Sequence, residues 1–218
     1  MLTINFNKDA KAPLKILFLG AHSDDIEIGC GGTILKLAKQ YKKNLEIVWV
    51  VFSAQDERER EALKSANSFL KDVEQKRIIT FKHRDGFFPF TAIEIKESFE
   101  SIKKNFSPDI VFTHYRNDRH QDHRLISDLT WNTFRNHLIF EYEIPKYDGD
   151  FGSPNFFVAL DEKICKKRND FIIKHFQTQK EKHWLTKETL LSVLRLRGIE
   201  SGRSSRYAEG FYCRKIAL

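Results

Sequence analysis

A chain of 218 residues holds one α/β domain with a sizeable core and leaves little room for a second. Hydrophobic residues at 41% and charged residues at 31% fit a globular protein in water, and no run reaches the roughly 20 apolar residues that a bilayer span needs. The net charge of +7 attracts acidic partners, but its Lys and Arg alternate with Glu and Asp along helical stretches, as on solvated faces, so charge alone does not point to nucleic acid.

The first 20 residues lack the layout of a signal peptide, and a cytoplasmic location is expected. Cys30, Cys165 and Cys213 are odd in number and share no C-x-x-C spacing, which argues against both a disulfide framework and a thiolate metal site.

In chain order, apolar runs at 15–21, 45–53, 77–83 and 109–115 read as strands, separated by stretches at 31–44, 56–73 and 91–106 whose apolar residues recur every three or four positions. That βαβαβαβ rhythm predicts a parallel sheet with crossover helices. "ILFL" and "IVWVV" are continuously apolar, as suits strands covered on both faces. Further strands are expected at 138–144, 155–161 and, at the end, 211–217, with a loop at 145–155 and helices at 165–176 and 187–197. No repeat or linker divides the chain, so residues 1–218 read as one domain.

Ligands of an open parallel sheet bind beyond the carboxyl ends of its strands, where the strand order reverses. With order 3-2-1-4-5, strands one and four are neighbours at that point. The first is followed by "HSDDIE" and the fourth ends in "HYRNDRHQDHR", which brings His22, Asp24, Asp25, Glu27, His114, Asp118, His120, Asp122 and His123 toward one crevice. Imidazoles and carboxylates are what a divalent metal uses when thiolates are absent. In "HSDD" the histidine and second aspartate can face one ion while the first aspartate stays beside the open position. In "HQDH" the histidines are three apart and share a face on a helical first turn.

Other features have plainer readings. "GCGGT" differs from a dinucleotide fingerprint, whose last glycine would fall at Ile34, and is better read as small residues that let a helix start lie close to the sheet. His83, His137, His175 and His183 read as packing or surface residues, and His114 either lines the pocket or caps its strand. "DGFFPF" (85–90) is an apolar wall, an oligomer contact or a core-covering loop, and the basic stretch 195–206 is a solvated helix end and loop or a phosphate attractor.

"AHSDDIE" (21–27) and "HQDH" (120–123), with "IGCGGT" and Asp118 in "DRHQDH", resemble the two hallmark motifs of the PIG-L/LmbE-like family of metal-dependent de-N-acetylases. The resemblance covers roughly the first 125 residues; the tail matches only through "YAEGF" (207–211). It implies a Rossmann-like three-layer α/β/α fold with a mostly parallel sheet of order 3-2-1-4-5 plus C-terminal additions. It also implies that His22, Asp25 and His123 bind Zn2+, with Fe2+ or another divalent metal as the alternative. Asp24 would be the general base for metal-bound water, and His120 the acid or the cation that stabilises the oxyanion. Asp122 would hold a histidine in its tautomer, and Arg58, in an R-x-x-E arrangement with Glu61, would contact substrate.

The implied substrate is a small N-acetyl amino sugar, GlcNAc-like and carried on a nucleotide or lipid in cell-surface glycan assembly, and relatives of this kind often form homo-oligomers. Ser23 stands where the family usually has proline, and Ile26 separates Asp25 from Glu27. Two other readings compete. A two-His-one-carboxylate Fe(II) oxygenase uses the same ligand types but leaves the spare aspartate and second histidine unexplained. A basic nucleic-acid-binding module would need patterned basic and aromatic residues that the chain lacks, and no nucleic-acid partner is expected.

Overall fold

The computed structural model describes residues 4–6, 12–202 and 204–217. Its strands are β1 (Leu14–His22), β2 (Leu45–Ser53), β3 (Gln75–Thr80), β4 (Ile110–His114), β5 (Leu138–Tyr142), β6 (Phe156–Leu160) and β7 (Tyr207–Cys213). Its helices are α1 (Asp25–Tyr41), α2 (Asp56–Phe69), α3 (Ala92–Asn105), α4 (Gln121–Thr133), α5 (Glu162–His175) and α6 (Lys187–Glu200). The strands form one sheet of order β3-β2-β1-β4-β5-β7-β6. The first five are mutually parallel and β7 runs antiparallel to both β5 and β6. The expected α/β fold and the 3-2-1-4-5 order are both present.

The apolar runs form strands because both faces are covered. Ile16 and Phe18 face one layer, where they join Trp49, Phe112, Phe140 and Phe69 beneath α1, α2 and α5. Leu17 and Leu19 face the other, with Val48, Val50, Phe99 and Ile126 beneath α3 and α4. With two buried faces no polar alternation survives, and β1 and β2 are buried along almost their whole length. None of the described helices is long and apolar enough to cross a membrane.

Four elements differ from the sequence expectation. α1 starts at Asp25 rather than Gly31, and its helical geometry breaks at Cys30, where φ is −145° and ψ is 17°. β3 ends at Thr80, with Lys82 meeting Ser53 only through an isolated bridge. The last strand lies four residues earlier than expected, because Tyr207–Cys213 pairs on both sides while Arg214 turns to the Glu141 carboxylate at 2.8 Å. α4 keeps the helical first turn expected at "HQDH" and continues for ten residues beyond it.

The glycines of "IGCGGT" are spacers, as the sequence suggested. A Cβ on Gly29 would lie 2.2 Å from the Tyr142 ring, whose hydroxyl is anchored by donating to the Leu19 carbonyl at 2.6 Å. Gly29→Ala therefore costs about 1–3 kcal/mol of stability, the usual penalty for overpacking a filled core. Chemical denaturation should show the midpoint falling with the slope unchanged.

Candidate active site

β1 and β4 lie side by side, so the segments leaving their carboxyl ends meet. β1 delivers His22, and the turn into α1 presents Asp24 and Asp25. The loop after β4 delivers Asp118, and the start of α4 presents His120, Asp122 and His123. His120 is the N-cap of α4: its Nδ1 accepts the Asp122 N–H at 3.3 Å. In a neutral ring that leaves the proton on Nε2.

His22, Asp25 and His123 come together. His22 Nδ1 lies 3.2 Å from His123 Nε2 and 3.4 Å from Asp25 Oδ2, and His123 Nε2 lies 3.5 Å from Asp25 Oδ1. Tetrahedral ligands 2.0–2.1 Å from zinc sit about 3.3–3.4 Å apart. Three donors at that spacing, two imidazoles and one carboxylate, suit one divalent ion.

Each histidine is oriented through its other nitrogen. Asp118 Oδ2 lies 2.9 Å from His123 Nδ1, and Asp122 Oδ2 lies 3.2 Å from His22 Nε2. Such carboxylate partners fix the ring and its tautomer and raise ligand basicity. Asp25 is itself held, accepting the His22 N–H at 2.7 Å with His114 Nε2 at 3.2 Å.

Charge follows from this packing. Burial alone would raise Asp25, but His123 and His114 beside it hold it well below the usual carboxylate range. Burial would lower His22, but hydrogen bonds with Asp122, Asp25 and Asp85 keep it well above the ordinary imidazole value. His123 is pushed down to about 3, by burial and then by His114.

Asp24 stays outside the ligand triangle and faces the cavity. Burial and then the adjacent Asp25 raise its pKa, tempered by Arg58, whose Nη2 is 3.9 Å from Asp24 Oδ1. Burial and then the His22 charge lower His120. The cavity above these groups measures about 260 Å³, a little below the roughly 300 Å³ at which drug-sized ligand pockets begin. It has room for about one sugar ring.

The structure distributes the remaining sequence candidates differently. Arg58 lines the cavity, but Glu61 turns away to accept from the Thr178 N–H at 2.8 Å, and Arg58 pairs instead with Asp85 at 2.7 Å. His114 is fully buried beneath the triangle, accepting the Ala21 N–H at 2.9 Å and stacked on His123, so it lies under the pocket rather than along it. Glu27 is buried below the site, and burial pushes its carboxyl well above the usual range. "DGFFPF" divides: Phe88 is buried in the core and Phe90 is 78% exposed. Of the basic stretch 195–206, Arg197 is an internal ion-pair partner of Glu143 at 2.6 Å, while Arg203 lies outside the described residues.

Asp85 and Lys146 are site groups the sequence reading missed. Gly86, at φ +77°, turns the loop so that its N–H donates to Asp122 Oδ2 at 2.7 Å and Asp85 reaches His22 Nε2 at 3.0 Å. Lys146 bridges Asp118 at 3.0 Å and Asp150 at 2.6 Å. Neither belongs to a local motif; the one hint was a lone acid before a glycine in "HRDG". Tyr147, Lys182 and Trp184 complete the mouth from the tail.

Residues 17–134, just over half of the chain, match the family model described as PIG-L, GlcNAc-PI de-N-acetylase. The Escherichia coli (strain K12) protein named "Uncharacterized deacetylase YaiS" is 26% identical over 166 residues, covering 73% of this chain and 89% of that one. The N,N'-diacetylchitobiose deacetylase of Pyrococcus horikoshii superposes with a TM-score of 0.71 at 22% identity, covering 92% of this chain and 83% of its own. GalB of Pseudomonas putida KT2440, a 4-carboxy-2-hydroxymuconate hydratase, superposes at 0.68 with 18% identity, covering 94% and 98%. At these identities the structural matches speak for the fold alone, and a fold shared with a hydratase leaves the reaction to be argued from the site. The sequence match across both motifs settles the lineage: the chain belongs to the PIG-L family.

Proposed function

We propose that the protein hydrolyses the acetamide of an N-acetylated amino sugar, with a divalent metal, zinc by its donor set, held by His22, Asp25 and His123. The observation that carries this reading is the triangle of donors 3.2–3.5 Å apart with a second buried acid, Asp24, beside it. When bound, the ion supplies Lewis acidity toward the acetamide carbonyl and makes water easier to deprotonate.

The remaining chemistry belongs to the side chains. Asp24, with its raised pKa, accepts the proton of the attacking water and returns it to the departing amine. His120 donates from Nε2 to the carbonyl oxygen, a bond that strengthens as negative charge gathers there. The C–N bond then breaks to give acetate and the free amino sugar. Arg58, braced by Asp85, is the substrate-contacting cation at the wall. Lys182, exposed at the mouth beside Trp184, supports a phosphate on a nucleotide or lipid carrier in cell-surface glycan assembly.

An Fe(II) oxygenase would use the same triangle, but would consume O₂ and leave Asp24 and His120 without tasks. Release of acetate and a free amine from N-acetylglucosamine derivatives under anaerobic conditions is the test that separates the two. If Arg58 binds substrate equally in ground and transition states, Arg58→Ala raises KM about tenfold with kcat little changed, the ~1.5 kcal/mol of one charge-assisted hydrogen bond. A fall in kcat at constant KM would move Arg58 into the chemistry itself.

A further inference from the structure

The motifs "IGCGGT" and "YAEGF" lie some 180 residues apart in sequence, yet they meet at the break in α1. An unbroken helix would bond the Gly32 N–H to the Ile28 carbonyl. Here both groups have side-chain partners from outside the helix. The Gly32 N–H goes to Glu209 Oε1 at 2.8 Å, and the Ile28 carbonyl accepts from Arg168 Nη2. The Thr33 N–H and hydroxyl both donate to Glu209 Oε2 at 2.7 Å. Arg168 Nε stands 3.2 Å from Glu209 Oε1, and both side chains are 3% exposed. Glycine at 32 is what lets the carboxylate approach, since a Cβ there would meet Leu160 at 2.5 Å and Glu209 at 3.0 Å.

We infer that the Arg168–Glu209 ion pair, wedged into the break of α1, is a positioning device for Asp24 and Asp25. The segment before the break runs only from Asp25 to Gly29, with the Ile28 N–H bonded to the Asp24 carbonyl at 3.1 Å. One turn has too few bonds of its own to hold a direction. Its far end is fixed from outside: Arg168 takes the Ile28 carbonyl, and Glu209 anchors the helix that resumes beyond. The direction in which Asp24 and Asp25 leave β1 is therefore set by two residues that touch neither metal nor substrate. The conclusion rests on the metal-site reading above.

Zinc affinity of purified wild-type protein and of Glu209→Gln, by competition with a chromogenic chelator, tests this directly. Gln offers one acceptor oxygen where the carboxylate offers two and turns an NH₂ group toward N–H donors, so affinity should fall about tenfold, at the low end of what outer partners of metal ligands contribute. Amide exchange of residues 25–33 in the metal-free variant should quicken. Phe99→Leu, a core change stacked on Phe52 across the sheet, is the control for lost stability. It should leave zinc affinity unchanged. Where Glu209→Gln fails to fold, Arg168→Lys, which keeps the charge and loses the fork to Ile28 and Asn169, should show the same fall. Unchanged affinity in the wedge variant, or an equal fall in Phe99→Leu, overturns the inference alone. A wild-type protein that binds no zinc overturns the metal-site reading and this inference with it.

Discussion

Asp24→Asn should keep its metal and lose roughly 10²–10⁴-fold in amine release, the range expected when a general base is removed. The reason is geometric. Asp24 makes no edge of the donor triangle, so the amide leaves His22, Asp25 and His123 as they are. It removes the one acid that faces the cavity from outside the triangle with its pKa raised by burial. Metal content measured by mass spectrometry, alongside kcat, separates the two roles. Normal turnover with metal retained would remove Asp24 from the mechanism, and loss of the metal would make it a ligand.

His123→Ala should abolish both metal binding and activity. A three-ligand site reduced to His22 and Asp25 has lost a donor 3.2 and 3.5 Å from the others; His114, stacked directly on His123, already accepts from the Ala21 N–H, and His120 Nδ1 accepts from the Asp122 N–H. Asp118→Asn is the graded counterpart. It leaves His123 in place but weakens the contact at its Nδ1, and should reduce zinc affinity about 10–100-fold. Titration of the apo proteins with zinc orders the three: wild type, Asp118→Asn, then His123→Ala. Equal affinity in all three would place the metal elsewhere.

What the sequence revealed follows from how local each signal is. The strands β1, β2 and β4 were legible because burial on both faces leaves continuous apolar runs, and the order 3-2-1-4-5 then made neighbours of "HSDD" and "HQDH". The groups within each cluster are adjacent in sequence, so their joint chemistry could be read before any fold was known. Asp85 was invisible for the opposite reason. Its role depends on a turn at Gly86, hinted at only by the Asp-Gly pair, and on the distant Asp122 capturing that turn's N–H, which nothing near it in the chain announces. Lys146 likewise acts only through Asp118 and Asp150.

The start of α1 was misplaced because Asp25–Gly29 is too short to show helical periodicity, and it is held by Arg168 and Glu209 from far along the chain. The final strand slipped by four residues because "FYCRKIA" is as apolar as "YAEGFYC", and only pairing with β5 and β6 distinguishes them.

The most direct test of the central claim is acetate release from a panel of N-acetylglucosamine derivatives, measured on the purified protein, after chelation, and after zinc is restored. The account predicts stoichiometric acetate and free amine from at least one derivative, activity lost with the chelator and regained with about one zinc per chain. Release that continues undiminished in the stripped protein would contradict it, as would a zinc-loaded protein that leaves every acetamide intact.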